Sequence, residues 1–368
     1  MGGPSGFRSG VRPPSGKGLC TEASTFPRAL YVNCDLPGES RRLEEPETFY
    51  RSVRESIVIF DEIHQLPDPS RLLKIGADAF PGLQILATGS STLGATRKFR
   101  DALTGRKRSL TLSPILVEEL SAFGSGDLNK RLFRGGLPPV LLNDGIDDGF
   151  YAEWMDSYYA RDVQELFRVE KRGAFLRLME LLLRQSGGMV EPTSLARDCG
   201  LSRPTVLSYI DAMQITHVVR MLRPYHGESA RELVHQPKVY AFDTGFVRFA
   251  KGWNDLRPED CGLLWEHVAL DALLFHVGSH AIHYWRDKQG REVDFVIPRG
   301  RGEADAVECK WTPTAFDPKG VIAFRALHPK GRNVVLSPAI QKPFSRSYGP
   351  LTVEFLPLAA FHPPAPLG

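Results

Sequence analysis

The run Ile57-Val58-Ile59-Phe60-Asp61-Glu62 sets four apolar residues directly ahead of two adjacent carboxylates. A short apolar run suits a strand, and open α/β sheets bind ligands beyond the carboxyl ends of their strands. Two acids there can divide the work. Asp61 can help hold Mg²⁺ on a nucleotide while Glu62 polarises the attacking water. The plain alternative is a strand that stops at a polar loop. The next apolar run ends in Thr88-Gly89-Ser90-Ser91. The hydroxyls of Thr88 and Ser90 can contact a γ-phosphate or its water, although a Gly/Ser turn reads the same way. Arg106 follows in Leu103-Thr104-Gly105-Arg106. Its charge can stabilise a phosphate in the transition state, or it lies in solvent.

Such a set needs a glycine-rich phosphate loop ahead of it, of the form G-x-x-x-x-G-K-[ST]. The candidate is Gly10-Val11-Arg12-Pro13-Pro14-Ser15-Gly16-Lys17-Gly18. Gly16 and Lys17 supply the Gly-Lys pair, and Lys17 would hold the nucleotide phosphates. Five residues separate Gly10 from Gly16 instead of four. Two prolines stand where backbone N–H groups should cradle phosphate, and proline has none. Gly18 stands where a hydroxyl residue would ligate Mg²⁺. The loop is degenerate, and no apolar strand leads into it.

A second set of acids lies toward the C-terminus. Asp294 sits in Glu292-Val293-Asp294-Phe295-Val296, and Glu308 and Lys310 sit in Ala306-Val307-Glu308-Cys309-Lys310. Period-two alternation puts Glu308 and Lys310 on one strand face. An antiparallel neighbour would bring Asp294 beside them. Asp294 and Glu308 could then hold Mg²⁺ through oxygen, with Lys310 orienting or activating a water. Glu266, on the preceding helix, could add an acid. The alternative is an ion-paired strand end.

Between these sets, Thr193 to Cys199 reads as a short helix ended by Gly200 in a left-handed turn. Ser202 suits an N-cap and Pro204 the first turn of a second helix. Val206, Ile210 and Met213 share one face of that helix and leave Arg203, Thr205 and Ser208 outward. This is a helix-turn-helix. His217 to Leu222 and Lys238 to Phe242 read as strands of a wing. The second helix would enter a DNA major groove, or the module serves domain packing or protein contacts. Arg203 is the sole cation on the candidate face.

The elements that must carry these residues follow from the apolar patterning. Ala29 to Asn33, Ile57 to Phe60 and Gln84 to Thr88 read as parallel strands buried on both faces, with helices between them. Tyr151 to Arg168, Gly173 to Gln185 and Gly262 to Val277 read as helices. Strands are expected at Ile282–Trp285, Glu292–Ile297, Ala306–Lys310 and Asn333–Leu336. The Pro-rich stretch after Leu356 is expected to fray. The 368 residues are 42% apolar and 24% charged, which suits folded domains and excludes wholesale disorder. No apolar run reaches the length of a membrane span. Residues 1–18 lack the apolar core of a signal peptide. Five scattered cysteines without a CxxC argue against structural zinc or a disulfide framework and for a cytoplasmic protein. A net charge of +3 does not imply nucleic acid, and the 33 Arg against 13 Lys also fit a GC-rich genome.

The order YVNCDLP, IVIFDEIHQLP, ILATGSS, LTGR and FRGGLPPVLL resembles a group of prokaryotic AAA-type (P-loop) ATPases, over about residues 10–337. Members carry a C-terminal region that looks winged-helix and restriction-endonuclease-like. The resemblance implies an α/β fold in four parts. Residues 1–28 form an irregular tail with the degenerate Walker A loop, and 29–125 a parallel-sheet ATPase core. Residues 130–245 form a helical and winged-helix region, and 255–356 an α/β endonuclease-like domain. It implies ATP and Mg²⁺ as cofactors, Asp61 and Glu62 as the Walker B pair, Ser90 or Thr88 as sensor, and Arg106 as the Gly-Arg arginine. The expected function is ATP binding and hydrolysis, impaired if the loop fails. The alternative is a DNA-binding or Mg²⁺-dependent nuclease-like protein with a relic ATPase domain. The expected partners are nucleotide and DNA, with no membrane. AAA-type enzymes often form rings, so a homo-oligomer is among the expected assemblies. Family members begin with a helix and strand before an intact loop. A mis-assigned start, a frameshift or gene decay would each account for the difference.

Overall fold

The computed structural model describes residues 29–89, 112–143, 145, 148–167, 169, 171–226, 236–278, 282–300 and 302–362. The apolar runs of the N-terminal part form β1 (Ala29–Asn33), β2 (Ile57–Asp61) and β3 (Gln84–Ala87). They pair in parallel in the order β1-β2-β3, with Asn33 opposite Asp61 and Phe60 opposite Ala87. The helices Pro46–Ser52 and Pro69–Ala79 supply Phe49, Tyr50 and Leu72 to a core with Val32, Val58 and Phe60. These helices pack so closely that a Cβ on Gly76 would lie 2.6 Å from the Tyr50 hydroxyl.

Among the described residues, burial differs between the two faces of this sheet. Ile57 and Ile59 are half-buried, and Leu86 is 53% exposed. Alternation along β2 sends Val58 and Phe60 to the helices and leaves Ile57, Ile59 and Asp61 on the other side.

The middle of the chain is helical. Asp148–Tyr158 passes through a π-helical turn, Tyr159–Val163, into Gln164–Phe167, so the single helix expected over 151–168 is interrupted. Arg172–Arg184 follows. Pro192–Cys199 then ends at Gly200 with φ 63°, and Arg203–Ile215 begins at Ser202, whose hydroxyl accepts from Thr205 N. Val206, Ile210 and Met213 face inward and are buried. β4 (Val219–Leu222) and β5 (Lys238–Ala241) form an antiparallel pair.

The C-terminal part opens with the helix Pro258–Val277, four residues longer at its start than expected. Six strands follow: β6 (His283–Arg286), β7 (Glu292–Gly300), β8 (Glu303–Cys309), β9 (Asn333–Leu336), β10 (Phe344–Tyr348) and β11 (Leu351–Leu356). Their order in the sheet is β10-β11-β9-β8-β7-β6. β6, β7 and β8 are antiparallel neighbours, and β9 lies parallel to β8. The helix Lys319–Leu327 connects those parallel strands, as a parallel crossover requires. One continuous core joins the middle helices to this sheet through Phe175, Tyr240, Trp265 and Phe295. The stretch after Leu356 does not fray at once, because Leu358 and Phe361 are buried in that core.

Candidate functional site

At the carboxyl edge of the parallel sheet, register brings three strands to one carboxylate. Asp61 ends β2, and the Thr88 hydroxyl, just past β3, donates to its Oδ1 at 2.5 Å. The Tyr31 hydroxyl on β1 donates to Oδ2 at 2.5 Å. Thr88 also anchors the next residue, since Glu62 N donates to its Oγ1 at 3.2 Å and Ile63 N to its carbonyl at 2.9 Å. Glu62 itself has left-handed backbone, φ 53°, a region non-glycine residues rarely occupy. That turn directs a half-exposed carboxylate to within 3.2 Å of His64 Nδ1. Thus Asp61 is fixed and Glu62 remains accessible. Two oriented oxygens on a half-buried carboxylate suit Mg²⁺, which prefers oxygen ligands and a few carboxylates. Gly16, Lys17, Ser90 and Arg106 lie outside the described residues. Tyr31 was not among the residues singled out from the sequence. Its signal was the alternation that puts it on the same face as Asn33, the partner of Asp61.

The C-terminal acids also meet. β7 and β8 run antiparallel, and Lys310 Nζ lies 2.9 Å from Asp294 Oδ2 and 2.6 Å from Glu308 Oε2. Cys309 N donates to the same Asp294 oxygen at 2.8 Å. Glu266, on the long helix, accepts from the Tyr240 hydroxyl at 2.5 Å and lies 3.6 Å from Lys238 Nζ. Lys238 also pairs with Glu292, and it is only 4% exposed. Burial and the neighbouring Asp294 push the Glu266 carboxyl up to about 7, against the pull of Lys238. Burial opposes ionisation of Asp294 too, but Lys310, Lys238 and the Cys309 N–H outweigh it and hold its pKa below the usual range. Burial and Asp294 raise Glu308 well above its ordinary value.

Each acid of this group therefore has a protein partner. The Lys310 ammonium occupies the position between Asp294 and Glu308 that a bridging cation would take. Among the described residues, no three His, Cys, Asp or Glu side chains are gathered to hold a metal ion. Two lysines, Lys238 and Lys310, thus pair with the four carboxylates Glu266, Glu292, Asp294 and Glu308. Lys238 and Tyr240, from β5, were not singled out from the sequence. A lone lysine in a short strand carries no sign that it will be buried against acids far along the chain.

On the helix Arg203–Ile215, Arg203 and Ser208 are exposed, while Thr205 is half-buried and bonded to Ser202 Oγ at 2.7 Å. Its outward face also carries Leu207, Asp211 and Ile215. One cation and one acid give this face little phosphate attraction. Among the described residues, no helix is long and apolar enough to cross a membrane.

Comparison with known proteins divides the chain in three. Residues 15–121 match the family model of an AAA domain. Residues 125–257 match a domain of unknown function (DUF8612), and residues 261–360 another (DUF4143). The first match supports a P-loop AAA-type family, in accord with the parallel sheet and its acidic edge. Two uncharacterized proteins, from Mycobacterium bovis and Mycobacterium tuberculosis, are each 26% identical over 292 residues. Each alignment covers 77% of this chain and 64% of the relative. The chain thus spans just under two thirds of the curated relatives it matches.

Proposed function

We propose that the protein binds ATP at the carboxyl edge of β1–β3 and hydrolyses it. The observation that carries this reading is the Asp61–Glu62 pair ending β2, with the Thr88 hydroxyl holding Asp61 and the backbone of Glu62. The AAA-domain match over residues 15–121 supports it. Asp61 is the carboxylate that would hold Mg²⁺. When bound with the nucleotide, that ion neutralises phosphate charge. Glu62 orients the attacking water and accepts its proton. Its carboxylate is half-exposed, with His64 Nδ1 3.2 Å away, and its turned backbone sets it apart from Asp61. Thr88 keeps the two acids in register. By resemblance, Gly16 and Lys17 would belong to the phosphate loop, Ser90 would act as the sensor, and Arg106 would stabilise charge on the γ-phosphate. Substitution of Glu62 by Gln tests the reading. ATP turnover should vanish while nucleotide binding persists, and unchanged turnover would sink the assignment.

A second reading is favoured by the convergence of Asp294, Glu308, Lys310 and Glu266. Here residues 255–356 form an endonuclease-like domain, supported by the order helix, three antiparallel strands, helix, parallel strand. Residues 130–245 act as a winged-helix region that contacts DNA through Arg203, Thr205 and Ser208. Lys310 already pairs with Asp294 and Glu308, so a divalent metal would have to displace its ammonium. Its test is Mg²⁺-dependent cutting of DNA by the purified protein, lost in Glu308→Ala. Protein that cuts no DNA with any divalent metal rules this reading out.

A further inference from the structure

The carboxyl edge of the parallel sheet contains one group that the proposed ATP chemistry has not used. Tyr31 lies two residues before Asn33 on β1, and Asn33 stands directly opposite Asp61. Alternation puts Tyr31 and Asn33 on one face, which is also the face of Ile59 and Asp61. Tyr31 is opposite Ile59, so its ring spans one residue pair along the strands and its hydroxyl reaches Asp61 Oδ2 at 2.5 Å. Thr88 approaches Oδ1 from the other side at 2.5 Å. The carboxylate is held between two hydroxyls, one from each flanking strand.

We infer that Tyr31 is a positioning residue of the nucleotide site, fixing the orientation of the Asp61 carboxylate for Mg²⁺-nucleotide. The inference rests on the ATP reading of this edge. A carboxylate held at one oxygen can still rotate about its last bond, whereas one held at both cannot. Each oxygen has a second lone pair, so the two hydroxyls orient Asp61 without using up its capacity as a ligand. The candidate phosphate loop has Gly18 where a hydroxyl residue would share the ion with Asp61. Tyr31 and Thr88 orient Asp61 from the sheet itself, independently of that loop. Donors behind a metal-binding carboxylate typically change metal affinity or activity by about 10–100-fold when removed.

The test uses the full chain and a fluorescent ATP analogue, titrated with Mg²⁺ and with EDTA. The ratio of the two affinities isolates the Mg²⁺ contribution. Tyr31→Phe deletes one oxygen and keeps the ring. It should lower that ratio about tenfold and leave the affinity in EDTA unchanged. Asp61→Asn should abolish the Mg²⁺ dependence altogether. A Tyr31→Phe protein with an unaltered ratio, beside an Asp61→Asn protein that has lost it, overturns the role of Tyr31 and leaves the ATP reading standing. A Tyr31→Phe protein that loses affinity equally in Mg²⁺ and in EDTA reduces the residue to packing and overturns it too. No nucleotide binding by the unmodified protein, or an undiminished ratio in Asp61→Asn, removes the ATP reading and this inference with it.

Discussion

Arg131 and Asp271 form a salt bridge sealed from solvent, with Nη2 3.1 Å from Oδ2 and the arginine fully buried. The rest of the guanidinium is equally engaged. Its Nε donates to the Ile115 carbonyl at 2.7 Å and its Nη1 to Thr244 Oγ1 at 3.1 Å. One side chain thus ties the segment following the parallel sheet to the middle helices and to the helix that also carries Glu266. Arg220 reaches the other oxygen of Asp271 at 2.5 Å. A lysine offers a point charge and no planar fork, and could not serve three such directions at once.

Replacing Arg131 with Met leaves the Ile115 carbonyl without its side-chain donor and Asp271 with one cation instead of two. Breaking a buried pair from one side costs on the order of 3 kcal/mol. Urea unfolding followed by tryptophan fluorescence should show a loss of that size. A loss below about 1 kcal/mol would mean that Arg220 alone satisfies Asp271.

The motif Phe133-Arg134-Gly135-Gly136 finds its reason beside this bridge. Gly135 has φ 82°, and a Cβ there would stand 1.9 Å from Asp243 Oδ1. Asp243 accepts from Gly136 N at 2.6 Å and from Gly245 N at 2.8 Å. Gly135→Ala should therefore cost about 3 kcal/mol, from left-handed backbone and overpacking together. Gly145→Ala is the control, because a Cβ there meets nothing within 4 Å. Equal melting temperatures for the two variants would contradict the account.

How much of this was legible beforehand depended on pattern. β1, β2 and β3 were readable because Val32, Val58 and Phe60 lie in short apolar runs ended by polar residues. The meeting of Asp294 with Lys310 followed from antiparallel pairing of two readable strands. β10 was not readable, since Phe344-Ser345-Arg346-Ser347-Tyr348 is a largely exposed edge strand with little apolar content. β11 alternates but was hidden behind it. Lys238 and Tyr240 act across long separations, and no local pattern reports the partner they meet.

Lys238 is the clearest case of such a distant role, and it can be tested by pH. It is buried, yet its pKa is raised, because Glu266, Glu292 and Asp294 outweigh the cost of burial. Lys238→Met leaves those acids crowded without their shared cation. The loss should be on the order of 3 kcal/mol at pH 8. It should shrink at pH 5.5, where Glu266, already raised to about 7, takes up a proton and relieves the repulsion. Unfolding free energies that differ from the unmodified protein by the same amount at both pH values would refute the charge argument.

His267 gives a pH effect of its own. Its Nε2 meets Ser186 Oγ at 2.5 Å and its Nδ1 meets the Leu263 carbonyl at 2.8 Å. Burial lowers its pKa from 6.5 to about 4, more than the Leu263 carbonyl raises it. Between those values the unfolded chain takes up a proton that the folded chain refuses. Stability should therefore fall as pH drops below about 6.5 and stop falling from this source below about 4, with a total near 3 kcal/mol. His267→Gln removes the titrating group. Unfolding free energies of the two proteins from pH 7 to 4 should converge by that amount as the pH drops. Parallel curves would show that His267 carries no such proton linkage.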